Sequence, residues 1–330
     1  MAQAHRSPVS RLAAHARWRG QQAARRIRQA SVLDLHRDPA RGLHIAGWQR
    51  SGSTWLARMA TSSASTRMVY EPSNIRPGLF AGGAPHLHPL PLAGPEDDLG
   101  IDGADIVDAL AGRVSTAWTN PQVTDRLPRR RVVKDVRTVG AVPWIAGRLP
   151  DTPVILLLRH PMAVAHSIIE LGWNADAATT SDAELAMRDP DAVLAAREAA
   201  LLDEVRRWAV PHGFSLRHPA SVDVHVILYE ELALDPAAEL RRLARFLDRY
   251  EEHWGDWAPD PAKIEAPSKT SFRRAESSPA AWIDSWSASY SPATLDAVGA
   301  VLAAEGIDRI YGTSSLPLLT GDAVLDAMAR

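Results

Sequence analysis

The stretch from Leu43 to Ala60 limits what this chain can fold into more than any other. Leu43-His-Ile-Ala-Gly-Trp48 is a short apolar run, Gly47-Trp-Gln-Arg-Ser-Gly-Ser-Thr54 is a glycine- and serine-rich turn, and Trp55-Leu-Ala-Arg-Met-Ala60 has helical spacing. A strand that passes through such a turn directly into a helix leaves the first helical amides, and the positive end of the helix dipole, facing the turn. Backbone alone then makes an anion cradle. Strand-length apolar runs recur at 67–70, 131–136, 153–158 and 223–229, alternating with helical patterns near 53–63, 104–117, 138–148, 161–171, 190–209 and 237–248. Alternation of this kind predicts a single α/β domain, doubly wound and three-layered, with a parallel sheet covered on both faces.

Composition excludes several classes of function. The 330 residues carry 37 basic and 39 acidic side chains, a formal charge of −2, which is not the net basic footprint of a nucleic-acid-gripping protein. There is no cysteine, hence no disulfide scaffold, thiolate nucleophile or Cys-ligated zinc. No apolar stretch reaches the length of a membrane span, and a cytoplasmic location is expected. Residues 1–41 form a basic arm, with nine arginines against Asp34 and Asp38, and lack the apolar core of a secretory signal. Such an arm could meet an anionic lipid surface or an acidic partner, but charge runs of this kind are more often solvated tails. The Gly- and Pro-rich interval 72–103 reads as a long functional loop, because strands resume after it. His86 and His88 within it lack a third ligand, so no metal is expected.

The cradle departs from the nucleoside-triphosphate loop in one respect. Ser53 stands where that loop places its lysine, and the cation comes earlier, at Arg50. The missing lysine is the group that reaches the β- and γ-phosphates. A loop without it suits a shorter anhydride on a 5′-phosphate, with the Arg50 fork on its oxygens. Read in isolation, the same residues could also be a Gly/Ser turn with an exposed arginine.

Arg50-Ser-Gly-Ser-Thr-Trp55 after a strand resembles the 5′-phosphosulfate loop of the sulfotransferases that use 3′-phosphoadenosine 5′-phosphosulfate (PAPS). Leu158-Arg159-His160-Pro161, opening a helix that carries Ser167, resembles the family's 3′-phosphate motif, with Arg159 and Ser167 eight positions apart. Ile227-Leu-Tyr-Glu-Glu-Leu232, then Asp235-Pro236 and Phe246-Leu247, looks like the segment whose tyrosine, here Tyr229, lies near the adenine; a core aromatic is the competing reading. Ser268-Lys-Thr-Ser-Phe-Arg-Arg274 resembles the late basic loop that closes over the nucleotide, which makes Arg273 and Arg274 its candidates. The resemblance implies a fold of the P-loop nucleoside triphosphate hydrolase type over residues 42–312, flanked by the arm and by a tail at 313–330. It also implies PAPS as co-substrate, bound by Arg50, Ser51, Gly52, Ser53, Thr54 and Trp55 at the 5′ end. A small-molecule or glycan acceptor completes the reaction, without metal or nucleic acid.

Sulfuryl transfer is an in-line displacement that needs cations at the leaving phosphate and a base on the acceptor. Arg50 is the first cation. Lys134, ending the buried run Val132-Val-Lys134, is the second: lysine occurs only at 134, 263 and 269, and a buried lysine must find an anion or lose its charge. The histidine base that one branch of the family carries two residues later is replaced by Val136. Glu71, in Met68-Val-Tyr-Glu-Pro72 at the carboxyl end of a strand, resembles the glutamate base of the carbohydrate-modifying branch; Asp135 competes for the role, and a turn-capping carboxylate is the structural alternative. Two rival functions stay open: a small-molecule kinase, and a non-catalytic nucleotide-binding protein of the same fold.

Overall fold

The computed structural model describes residues 32–61, 65–74, 89–116, 118–121, 125–172, 190–221, 223–260 and 282–330. Among these residues five strands form one sheet: β1 (Gly42–Gly47), β2 (Thr66–Tyr70), β3 (Arg130–Asp135), β4 (Val154–Leu158) and β5 (His225–Leu228). They pair only in parallel, in the order β2-β3-β1-β4-β5. Every strand ends within two residues of its sequence-predicted limits, because each has a buried apolar centre, unbroken in β4 and flanked by charged residues in β2 and β3.

Side-chain alternation divides the core in two. Leu43, Ile45, Met68, Val132, Ile155, Leu157 and Ile227 face one layer, built on α1 (Ser53–Ala60), α6 (Tyr229–Leu234) and α7 (Pro236–Leu247). Ala46, Val69, Val133, Leu156, Val226 and Leu228 face the other. There they meet α2 (Gly100–Leu110), α3 (Val142–Arg148), α4 (Pro161–Glu170) and α5 (Pro190–Arg217). A single-turn α8 (Glu251–Trp254) follows α7, and α9 (Pro292–Ala304) and α10 (Gly321–Met328) complete the second layer. α7 shows how the sequence sets these limits. Asp235 caps it by accepting from the Ala238 amide at 2.8 Å, Pro236 fills the first helical position, and Leu240, Leu243 and Phe246 recur at helical spacing on its buried side.

At the amino edge of the sheet an extended strap, residues 32–38, is held by buried charge. Asp34 accepts from Arg131 Nη2 at 3.0 Å and lies 2.9 Å from its Nε, with Arg67 Nε 3.8 Å away. Arg131 is fully buried and also donates to the carbonyls of His36 and Asp38. At the other end of the chain, residues 313–330 are not a bare extension: α10 packs Val324 and Met328 into the core, and Asp322 pairs with Arg242 at 2.7 Å.

Candidate functional site

All five strands deliver their carboxyl ends to one edge, and the residues singled out from the sequence collect there. The turn after β1 takes two left-handed residues, Arg50 (φ 67°) and Gly52 (φ 88°). Gly52 has to be glycine twice over: an added Cβ would lie 2.6 Å from ring carbons of Tyr229. It is also the N-cap of α1 and supplies no side-chain cap, so the opening amides of that helix face the turn. Ser51 is buried and donates through its hydroxyl to the Trp48 carbonyl, which tightens the loop. Ser53 is buried; Thr54 and Trp55 are half-buried on the helix behind it.

The second motif locks onto the first. Arg159, at the end of β4, donates through Nη1 to the Arg50 carbonyl at 2.7 Å and lies 4.4 Å from the centroid of the Tyr229 ring, while Trp55 meets the same ring edge-on. Arg50 Nε donates to Ser167 Oγ at 3.0 Å, so residues 117 apart in sequence are in contact. Two guanidinium groups therefore share one junction. Burial, and then the charge of Arg159, push the Arg50 guanidinium below its ordinary value. Arg159 is itself buried, and its Nε has no partner among the described residues.

The third cluster lies on β2 and β3. Lys134 and Glu71, both buried, form an ion pair, and Lys134 Nζ stands 4.8 Å from the centroid of the Tyr70 ring. Glu71 has φ 41°, a left-handed conformation that costs a residue with a Cβ of the order of 1 kcal/mol. The Trp118 indole N–H donates to the Glu71 carbonyl at 3.2 Å. Burial, and then the Glu71 charge, push the Tyr70 hydroxyl up, so it stays protonated beside that carboxylate. Asp135, the competing carboxylate, is committed elsewhere. It accepts from the Ser73 amide at 3.0 Å, the Ser73 hydroxyl at 2.6 Å and the Arg137 amide at 2.9 Å, and so fixes the turn that presents Glu71. Burial pushes its carboxyl up.

Arg50, Ser51, Gly52, Ser53, Thr54, Trp55, Glu71, Lys134, Arg159, Ser167 and Tyr229 thus share one edge of the sheet. Arg273 and Arg274 lie outside the described residues, as do Lys269, His86, His88 and Trp173. Sequence reasoning missed Tyr70 and Trp118. Tyr70 could have been found from its place beside Glu71 at the end of a buried strand; Trp118 carries no local signal. His160 packs flat against Trp286, 4.5 Å between ring centroids, and is held neutral by burial with its value lowered to about 4. No group of three metal-ligating side chains occurs among the described residues.

The profile of the sulfotransferase family matches residues 42–252, which hold the cradle, Glu71, Lys134, Arg159, Ser167 and Tyr229. The chain belongs to the sulfotransferase family. Solved structures similar to this sulfotransferase include one from Alicyclobacillus acidocaldarius, at 17% identity over 79% of this chain and 95% of that one, with a TM-score of 0.35. The sulfotransferase domain of the Synechococcus PCC 7002 olefin synthase is 15% identical over 82% of this chain and 96% of its own, with a TM-score of 0.44. The sulfotransferase domain of the curacin biosynthetic pathway is 15% identical over 82% and 98%, with a TM-score of 0.39. No curated protein matches the sequence. Among the described residues no helix is long and apolar enough to cross a membrane.

Proposed function

We propose that this sulfotransferase takes its sulfuryl group from PAPS and passes it to an acceptor hydroxyl or amine. The observation that carries this reading is the junction of Arg50, Arg159 and Ser167, where two cations that raise each other's energy meet beside an uncapped helix start. An anion with phosphate at both ends would relieve that repulsion and use both sites. The residues present fit such a nucleotide: the Arg159 Nε donor is buried without a partner, and the Tyr229 ring lies between Arg159 and the turn.

In this reading the α1 amides, Arg50 and Thr54 hold the 5′ end, Arg159 and Ser167 the 3′-phosphate, and Arg273 and Arg274 close over the nucleotide. PAPS supplies the sulfur–oxygen bond that breaks, and the leaving 5′-phosphate keeps the bond's electron pair and needs no proton. Arg50 and Lys134 stabilise the charge that collects on that phosphate. Glu71 accepts the proton of the acceptor as its oxygen or nitrogen bonds to sulfur. Asp135, by accepting from Ser73 and the Arg137 amide, holds the turn that presents Glu71. The ion pair between Lys134 and Glu71 stores base and cation side by side until substrates separate them.

Calorimetry without Mg²⁺ tests the nucleotide: 3′,5′-bisphosphate should bind in preference to ATP, and the reverse preference would sink the reading in favour of a kinase. Glu71→Gln tests the base. Transfer from labelled PAPS to acceptors in an extract of the host should fall about 10²- to 10⁴-fold while bisphosphate affinity holds; unchanged turnover would remove Glu71 from the role.

A further inference from the structure

Behind the Arg159 junction lies a buried carboxylate to which sulfuryl transfer gives no task. Glu230 opens α6 directly after Tyr229 and is 1% exposed. Its two oxygens reach two elements distant in sequence: Oε1 accepts from the His160 amide at 2.8 Å, and Oε2 from the Tyr311 hydroxyl at 3.0 Å. Burial pushes this carboxyl up, against the hydrogen bond from His160 and the nearby charge of Arg159. The same cluster fixes the His160 ring. Its Nδ1 accepts from the Met162 amide and so caps α4, which leaves the proton on Nε2 to be donated to the Gly312 carbonyl, both at 3.2 Å. Trp286 stacks on that ring, and the fully buried Tyr311 meets it edge-on with centroids 5.0 Å apart.

We propose that Glu230 and Tyr311 are positioning residues for the 3′-phosphate, acting through Arg159 and Tyr229; the assignment rests on PAPS as the ligand. Arg159 immediately precedes His160, and Tyr229 immediately precedes Glu230. The β4–β5 ladder ends at Leu158 and Leu228, so the sheet itself does not reach either nucleotide-facing residue. The Glu230 carboxylate bolts the two strand exits together just beyond that point. Held this way, the Arg159 guanidinium lies 4.4 Å from the Tyr229 ring centroid with Nη1 on the Arg50 carbonyl. Angle matters here, because a guanidinium grips phosphate through a planar fork and a small rotation forfeits one of its two bonds. An apolar side chain at 230 would avoid the cost of burying a charge, but would leave the His160 amide and the Tyr311 hydroxyl without an acceptor. Trp286, Tyr311 and Gly312 lie after residue 252, so chain beyond the family match shapes the nucleotide site.

Titration calorimetry of the full chain with adenosine 3′,5′-bisphosphate and with adenosine 5′-phosphate tests this, because the ratio of the two affinities reads the 3′ end alone. Glu230→Ala should lower that ratio at least about ten-fold by weakening the bisphosphate, with the 5′-phosphate within about two-fold of the parent. Glu230→Gln can still accept from the His160 amide and donate to the Tyr311 oxygen, and should hold the ratio within about two-fold of the parent's. Tyr311→Phe keeps its ring against His160 and should lower the ratio about three-fold; it decides the matter if Glu230→Ala does not fold. A loss shared equally by both ligands would mean a merely structural role and overturn the proposal. So would an unchanged ratio in the deciding variant, or a glutamine variant no better than alanine. A parent chain that does not prefer the bisphosphate to the 5′-phosphate would instead overturn the PAPS reading itself, and the proposal with it.

Discussion

Mild acid should unfold this protein, and four histidines set the scale. His44, His160, His212 and His225 are buried, and burial lowers them to about 3, 4, 4 and 3 from an ordinary 6.5. A lowered folded-state value means that the unfolded chain takes up the proton first. The stability each neutral imidazole contributes is whole above about pH 6.5 and is lost as pH falls toward 3 to 4. At about pH 5 an unfolded imidazole is 1.5 units below its ordinary value, which at 1.36 kcal/mol per unit is about 2 kcal/mol each and about 8 kcal/mol for four. That is comparable to the whole stability of a typical domain. Asp135 and Glu230, pushed up by burial, take up protons in the folded state and offset part of it. Urea titrations followed by circular dichroism at stepped pH should show the midpoint falling steeply between about pH 6.5 and 5. His225→Phe keeps an aromatic ring against Phe246, now 4.7 Å between centroids, and should remove about a quarter of the slope. A midpoint that stays flat to about pH 5 would refute the reasoning.

Two further outcomes follow from single contacts. Asp34→Ala leaves Arg131 and Arg67 buried without their carboxylate, a loss of about 3–5 kcal/mol; at about 2.1 cal/mol/K per residue the melting temperature should drop by about 4–7 °C, and a drop below about 2 °C in calorimetry would mean that the carbonyls around Arg131 suffice. Gly52→Ala forces a Cβ into a left-handed turn and against Tyr229, so 3′,5′-bisphosphate affinity should fall at least about ten-fold by titration calorimetry; undiminished affinity would place the nucleotide elsewhere.

The legible parts of this molecule are local ones. β4 is five apolar residues in a row, and the cradle is strand, turn and helix within eighteen residues, so both announce themselves. Arg50, Lys134 and Arg159 lie in short motifs at strand ends and Ser167 on the helix that follows one of them, and the fold brings all four to one edge. What surrounds them was not legible, because distant segments supply it. Trp118 reaches Glu71 across 47 residues, and Asp34 reaches Arg131 across 97, with nothing in either neighbourhood to mark the pairing. Asp135 illustrates a different limit. Adjacent to Lys134 and beside the site, it had the credentials of a base, and only the three hydrogen bonds it accepts assign it to the turn.

Residues beyond 312 fall outside both the motifs and the family match, yet they alter how safely the sheet can exist in solution. β5 is an outer strand, and the outward groups of such a strand are a template on which another chain can grow. Here the Val226 carbonyl is occupied by Arg242, 2.6 Å away, and an added Cβ on Gly321 would lie 2.7 Å from that same oxygen, so the backbone at the start of α10 lies directly over it. Asp322 holds Arg242 in place. At the opposite margin the Thr119 carbonyl takes the Tyr70 amide of β2. The last eighteen residues are therefore a guard against strand-to-strand aggregation. A shortened form ending at 312 would lose solubility through self-association before it lost the architecture of the edge that carries the cradle.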